Sequence, residues 1–264
     1  MASSTNGSVG SAVNGLSMTV FAIITCLYII LKQKFGYKYF APRDRDQEKE
    51  KKKTRHILLG IYVLAAFFSQ YYFNAQATKS ICGTTQTTTA FIMTLLPNIL
   101  MFGLLIILFA FFPGWKAPFS NTFGYAAAFL SGIKKVFIEM INTQKGGDKL
   151  SQDIYDNPSL MINYITPHNF DAFMSKMQKN KEIGPTADKY FDKLYKLVTL
   201  KDCIAELIWY LLVGSLVISV SYNALTDLPC RKNTDAMMAA HIDWARDQNT
   251  ATPPPAPKIY YTRE

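Results

Sequence analysis

The sequence predicts an all-α membrane protein: four transmembrane helices, an interfacial amphipathic helix and a small helical extramembrane domain. Three observations carry this. Four apolar runs, residues 13–31, 57–73, 88–112 and 203–222, each have the length of helix that crosses a hydrocarbon core of about 30 Å. Glu206 is the one formal charge inside any of them. Charge between the runs is strongly asymmetric. Residues 32–56 carry ten Lys/Arg against four acids and residues 113–202 carry twelve against nine, whereas residues 74–87 carry only Lys79. The net charge of +9 therefore reads as basic loops that fix orientation rather than as a nucleic-acid surface. The positive-inside rule places 32–56 and 113–202 on the cytosolic face, with the N-terminus, the 74–87 loop and the C-terminal segment opposite.

Taken in order, residues 1–12 are small and polar and read as an N-terminal tail; Asn6-Gly7-Ser8 is its glycosylation sequon. The first run is followed, not preceded, by lysines, which marks an N-out anchor rather than a cleaved signal peptide. Lys32 and Lys34, with Tyr28, Phe35, Tyr37, Tyr39 and Phe40, mark an interface. Toward the end of the 32–56 loop lie Lys51, Lys52 and Lys53, which read as part of a solvated hairpin flanked by helical extensions or as a docking point for acidic partners or anionic headgroups. The first three spans and this loop form the unit 13–112. Pro97 predicts a kink in the third span, Pro113-Gly114 ends it, and Trp115 sits at the membrane surface.

Residues 113–141 read as the interfacial segment. Within it Ala126, Phe129, Leu130, Ile133, Phe137, Met140 and Ile141 recur at helical spacing, interrupted by Lys134, Lys135 and Glu139, which fits a helix in the interface or against the bundle. Residues 142–202 form the extramembrane domain. Lys145-Gly146-Gly147-Asp148 signals a linker, and Asp156-Asn157-Pro158 and Thr166-Pro167 signal helix starts. Two amphipathic stripes follow, Phe170, Phe173, Met174, Met177, and then Tyr190, Phe191, Leu194, Tyr195, Leu197, Val198; they read as a small cluster of helices leading directly into the fourth span. About 60 residues bury little apolar surface alone, so the domain is expected to lean on the membrane, the bundle or a partner. Residues 223–264 are a tail with a helical patch at 235–244 and a proline-rich strap at 253–257.

Cys82 and Cys230 both lie about 8–10 residues beyond a span on the non-cytosolic face, and a disulfide between them is the expectation. Cys26 and Cys203 lie within or beside spans and read as small packed hydrophobes. Glu206, one turn into the fourth span, is expected to snorkel or to pair with Lys134 or Lys135. His56, His168 and His241 fall in no metal or triad motif, and there is no P-loop or nucleophile elbow. The expectation is a protein that is not an enzyme, with no catalytic or metal residues, no cofactor, no small-molecule substrate and no nucleic-acid partner.

Residues 111–125 (FFPGWKAPFSNTFGY), 156–173 (DNPSLMINYITPHNFDAF) and 207–223 (LIWYLLVGSLVISVSYN), followed closely by Cys230, resemble integral membrane proteins of the nucleocytoplasmic large icosahedral double-stranded DNA viruses, including algal and amoebal ones. The resemblance spans roughly residues 80–230. It implies a structural virion protein: a minor capsid component in the internal lipid membrane beneath the capsid, contacting major and minor capsid proteins, in a membrane drawn from host endoplasmic reticulum. The alternative is a channel or transporter subunit, for which Gln70, Thr94, Asn98 and Glu206 are the candidate pathway residues. A third possibility is membrane remodelling by the 123–141 helix.

Overall fold

The computed structural model describes residues 3–38, 45–141, 158–180, 183, 186–227, 230, 238, 241–244 and 246. It is about 90% helical, with no strand among the described residues. Four helices are long and apolar enough to cross a membrane: Val13–Gly36, Gln47–Cys82, Thr87–Phe111 and Asp188–Thr226.

Helix α1 runs Ser3–Leu31 and continues through a π-helical turn, Lys32–Gly36. The N-terminal stretch expected as a tail is thus helical from Ser3. Its Ser, Asn and Gly residues have poor intrinsic helix propensity, so this turn-by-turn extension is carried by propagation from the helix that the apolar run nucleates. Helix α2 runs Arg45–Cys82, well beyond the apolar run at both ends, so the helical extensions expected to flank the 32–56 hairpin take up most of that segment. The two helices are tied where they meet: Lys51 Nζ donates to the Phe35 carbonyl at 3.1 Å and Arg55 Nη1 to the Gly36 carbonyl at 3.0 Å. Lys51 therefore caps the end of the first span, while Lys52 and Lys53 stay exposed. Gly83, at φ +74°, ends α2 in a conformation that side chains resist.

Helix α3 is Thr87–Phe111. Proline at 97 cannot donate to the preceding turn, and the helix widens directly after it into a π-helical stretch, Asn98–Gly103. Pro113 then opens a 3-10 turn, Pro113–Lys116, leading through short helical pieces to α4, Tyr125–Leu130. Gly132, at φ +89°, breaks the chain before α5, Ile133–Ile141. The expected single interfacial helix is therefore two helices with a bend. The apolar stripe of α5 turns inward: Ile133, Val136, Phe137 and Met140 are buried. Packing that stripe against other helices removes it from solvent more completely than lying on a membrane surface would.

The partners of α5 are α6 (Pro158–Tyr164), α7 (Phe170–Lys179) and the first half of α8 (Asp188–Thr226). Ile162, Phe170, Met174, Met177, Leu194 and Val198 complete this core. Thr166 and Asn169 set the turn before α7 by reciprocal bonds from each backbone N–H to the other's side-chain oxygen. The extramembrane domain thus borrows residues 125–141 for its core. Its junction with the span is one unbroken 39-residue helix. The expected linker at 145–148 and the strap at 253–257 lie outside the described residues. His241, Ile242, Asp243 and Trp244, within the expected 235–244 patch, are helical.

The four long helices point large apolar side chains outward. Leu16, Ile23, Ile30, Ile61, Phe68, Ile99, Leu104 and Leu212 are all exposed, while Ser17, Thr25, Gln70, Asn74 and Thr94 are buried. A water-soluble bundle would reverse this arrangement, whereas a bundle in hydrocarbon is free to adopt it.

Candidate functional site

Where the lysine-rich segments meet the bundle, four charged side chains form a buried cluster. Lys32 is the first residue past the α1 apolar run. The π-turn and the antiparallel approach of α8 direct its ammonium inward, 2.6 and 2.5 Å from the two Glu206 carboxylate oxygens. Lys116, on the 3-10 turn after α3, reaches Asp202 at 2.9 Å and Glu206 at 3.6 Å. Asp202 and Glu206 share a face of α8 because they are four residues apart. Two cations and two anions leave the cluster formally neutral, as burial requires. Burial pulls the Lys116 ammonium down, but Glu206 and Asp202 outweigh it and hold the group above its ordinary range, so it stays charged.

Aromatic side chains roof the cluster, one from each spanning helix. Tyr210 donates to Glu206 at 2.9 Å and Tyr28 lies 3.5 Å from the same oxygen. Tyr28 stacks on Tyr62 with centroids 4.4 Å apart, and Phe102 packs on Tyr210 at 5.3 Å. Thr25 and Tyr62 hydroxyls meet at 3.1 Å, so this polar edge is also bonded.

One turn away, the adjacent face of α8 serves the extramembrane domain. Lys201 is buried, and its ammonium donates to the carbonyls of Ile162 and Asn163 at 2.9 and 3.2 Å and to Asn121 Oδ1 at 3.3 Å. A cation thus caps the C-terminal end of α6. Gly124 lies against α8 so closely that a Cβ would sit 2.3 Å from the Lys201 carbonyl oxygen. Consecutive residues Lys201 and Asp202 bind the domain and the bundle respectively. The arrangement is a lock: it fixes three chain segments together through side chains already paired with one another.

The sequence-predicted residues fall as follows. Glu206 does not pair with Lys134 or Lys135. Both lysines are exposed on α5, which packs on the 188–202 part of α8 and so lies beyond the cluster. Trp115 is half-exposed and packs on Trp209 at 6.3 Å. Cys82 and Cys230 are joined by a disulfide, at the end of the bundle opposite the ion cluster. Cys203 is buried and Cys26 exposed, both as free thiols. Gln70, Thr94 and Asn98 gather in the α2–α3 seam, apart from Glu206. There Asn98 Nδ2 donates to Gln70 Oε1, and Asn74 Nδ2 to Thr94 Oγ1, each at 2.7 Å.

Lys32, Lys116, Lys201 and Asn74 were not singled out as functional by sequence. Asn74 had a signal, since 70/74 and 94/98 are matched i,i+4 pairs on antiparallel helices. The lysines had none, because their partners are 38 to 174 residues away. Among the described residues no group of three or more His, Cys, Asp or Glu could hold a metal ion. The chain matches no protein-family model, no curated protein and no solved structure.

Proposed function

We propose that this chain is a structural virion protein, a membrane-embedded minor capsid component that anchors an icosahedral capsid to the internal lipid membrane of a large double-stranded DNA virus. The observation that carries the reading is mechanical. The 39-residue helix α8 runs without a break from the extramembrane core into the bundle, and Lys201, Asp202 and Glu206 lock both to it. A load applied to the domain would pass into the spans through a stiff rod rather than a linker. The resemblance of residues 111–125, 156–173 and 207–223 to viral membrane proteins supports the same reading.

In this proposal the lysine-rich end and the extramembrane domain face the cytosol during assembly, and then the shell; the Cys82–Cys230 disulfide faces the lumen of an endoplasmic-reticulum-derived membrane. Capsid sites repeat, so weak contacts by each copy gain from multivalency. Crosslinking mass spectrometry on purified particles tests it. Links from Lys52, Lys53, Lys176 or Lys179 to coat proteins are the expected result; links only to unrelated membrane proteins would refute it.

A channel or transporter subunit is the rival. The buried Glu206 and the Gln70–Asn98 and Asn74–Thr94 pairs favour it, since polar groups inside a bundle are what a pathway needs. Against it, each of these groups is satisfied by a protein neighbour. Ion flux in reconstituted vesicles that is abolished by Glu206→Leu would establish the rival.

A further inference from the structure

A surface groove of about 410 Å³ lies between α1 and α8 at the lysine-rich end of the bundle. Its walls are Ile29 and Ile30 on one side and Ile204 and Leu207 on the other, with Lys34 and Leu200 also lining it. Nearly all the lining is apolar, and its surroundings on α1 are exposed apolar side chains, Leu27, Ile30 and Leu31. Both helices are long and apolar enough to cross a membrane, so the groove faces hydrocarbon and a hydrocarbon chain is what fills it.

The charge beside the groove selects the lipid. Lys32 and Lys34 are two residues apart and so leave the helix on nearly opposite sides. Lys32 turns inward to Glu206 and Lys34 outward, exposed. The acids of α8 at this end are already engaged: Asp192 with Lys196, Asp202 with Lys116, Glu206 with Lys32. The Gln33 amide donates to the Lys196 carbonyl at 3.1 Å and lies 3.2 Å from Thr199 Oγ1, which pins this turn of α1 against α8. Lys34 is therefore a positioned cation at the headgroup end of an acyl-chain groove, with the nearby acids held by other lysines.

We propose that this groove is a binding site for one anionic phospholipid of the same leaflet, its acyl chain between Ile30 and Leu207 and its phosphate at Lys34. The inference goes beyond the anchoring function and does not depend on it. Binding there would cement α1 to α8 beside the ion cluster, and would favour insertion where the lysine-rich face meets anionic lipid.

The test is native mass spectrometry of the full chain in detergent with equimolar phosphatidylserine and phosphatidylcholine of matched chains. One phosphatidylserine per chain should be retained over phosphatidylcholine by about fivefold, the preference one basic side chain confers near an anionic surface. Lys34→Gln should erase the preference, Leu207→Trp should abolish retention of both lipids by filling the groove, and Lys179→Gln on the extramembrane domain should change neither. Ile30→Trp, at an exposed position, repeats the filling test from the other wall should Leu207→Trp not fold. Equal retention of the two lipids by the unaltered chain overturns the proposal. So does a preference that survives Lys34→Gln, or retention unaffected by a filled groove.

Discussion

Replacing Glu206 by Gln keeps the shape of the cluster and removes one charge. The Lys32 ammonium would then lie buried opposite a neutral amide, while Lys116 would keep Asp202 at 2.9 Å. Breaking a buried ion pair from one side costs about 3–5 kcal/mol. Lys32 sits at the end of its span and can swing its ammonium toward water, which lowers the expected cost to about 2–4 kcal/mol. Lys32→Met should cost less, about 1–2 kcal/mol, because Glu206 would retain Lys116 and Tyr210. Removing both charges, as Lys32→Met with Glu206→Gln, should cost well under the sum of the two single losses, since neither charge is left alone. Equilibrium unfolding in mixed micelles, followed by tryptophan fluorescence, measures all three; Trp209 is one turn from Glu206 and packs against Trp115. Strictly additive losses, or a Glu206→Gln loss under about 1 kcal/mol, would refute the lock, because exposed ion pairs behave that way.

Four further outcomes are expected. A Cβ at position 214 would stand 2.0 Å from the Phe21 ring, so Gly214→Ala should cost about 1–3 kcal/mol in the same unfolding assay, and Phe21→Leu in the same chain should recover part of it. Lys201→Met should strand two carbonyls and an amide oxygen, costing about 1–3 kcal/mol, and should speed hydrogen exchange in 158–164 before it affects the spans. Cys82→Ser, Cys230→Ser and the double variant should be equally destabilised, by about 2–4 kcal/mol, since each removes the same bond across 148 residues; unequal losses would mean a thiol role besides the disulfide. The Asp171 carboxyl is held above its ordinary range by partial burial and then by the charge of Glu48. A raised folded value means that the neutral form favours the folded domain. The penalty is therefore present near neutral pH and fades as pH falls through the folded value. Asp171→Asn should slow exchange in α7 at neutral pH, by less than about 1 kcal/mol, with the gain vanishing in acid.

Much of the architecture was legible beforehand because hydrocarbon imposes a single strong rule on sequence. A helix that crosses it must be long and apolar, and the four runs obey that rule in full view. The domain stripes at 170–177 and 190–198 were legible for a similar reason, since helical periodicity marks the face to be buried. Lengths were less so. Helical extensions beside the 32–56 hairpin and helices leading into the fourth span were expected, but how far α2 reaches, to Arg45, and that α8 runs unbroken from Asp188, depend on polar residues whose helicity is decided by neighbours. The α5 stripe showed that a face would be buried, without showing whether lipid or protein would bury it.

The chain by itself determined its helical spans, the distribution of charge about them and the faces its helices hide, because these follow from the free energy of moving each side chain out of water. Only the tertiary structure decided which lysines meet Glu206, that Lys201 caps α6, and that α5 joins the extramembrane core. Such pairings join residues up to 174 positions apart, and many lysines in the chain are chemically equal candidates. Geometry separates them: among the described residues only Lys32 and Lys116 have ammonium groups that reach Glu206 in the packed bundle, and in a low-dielectric interior reach decides which charges pair.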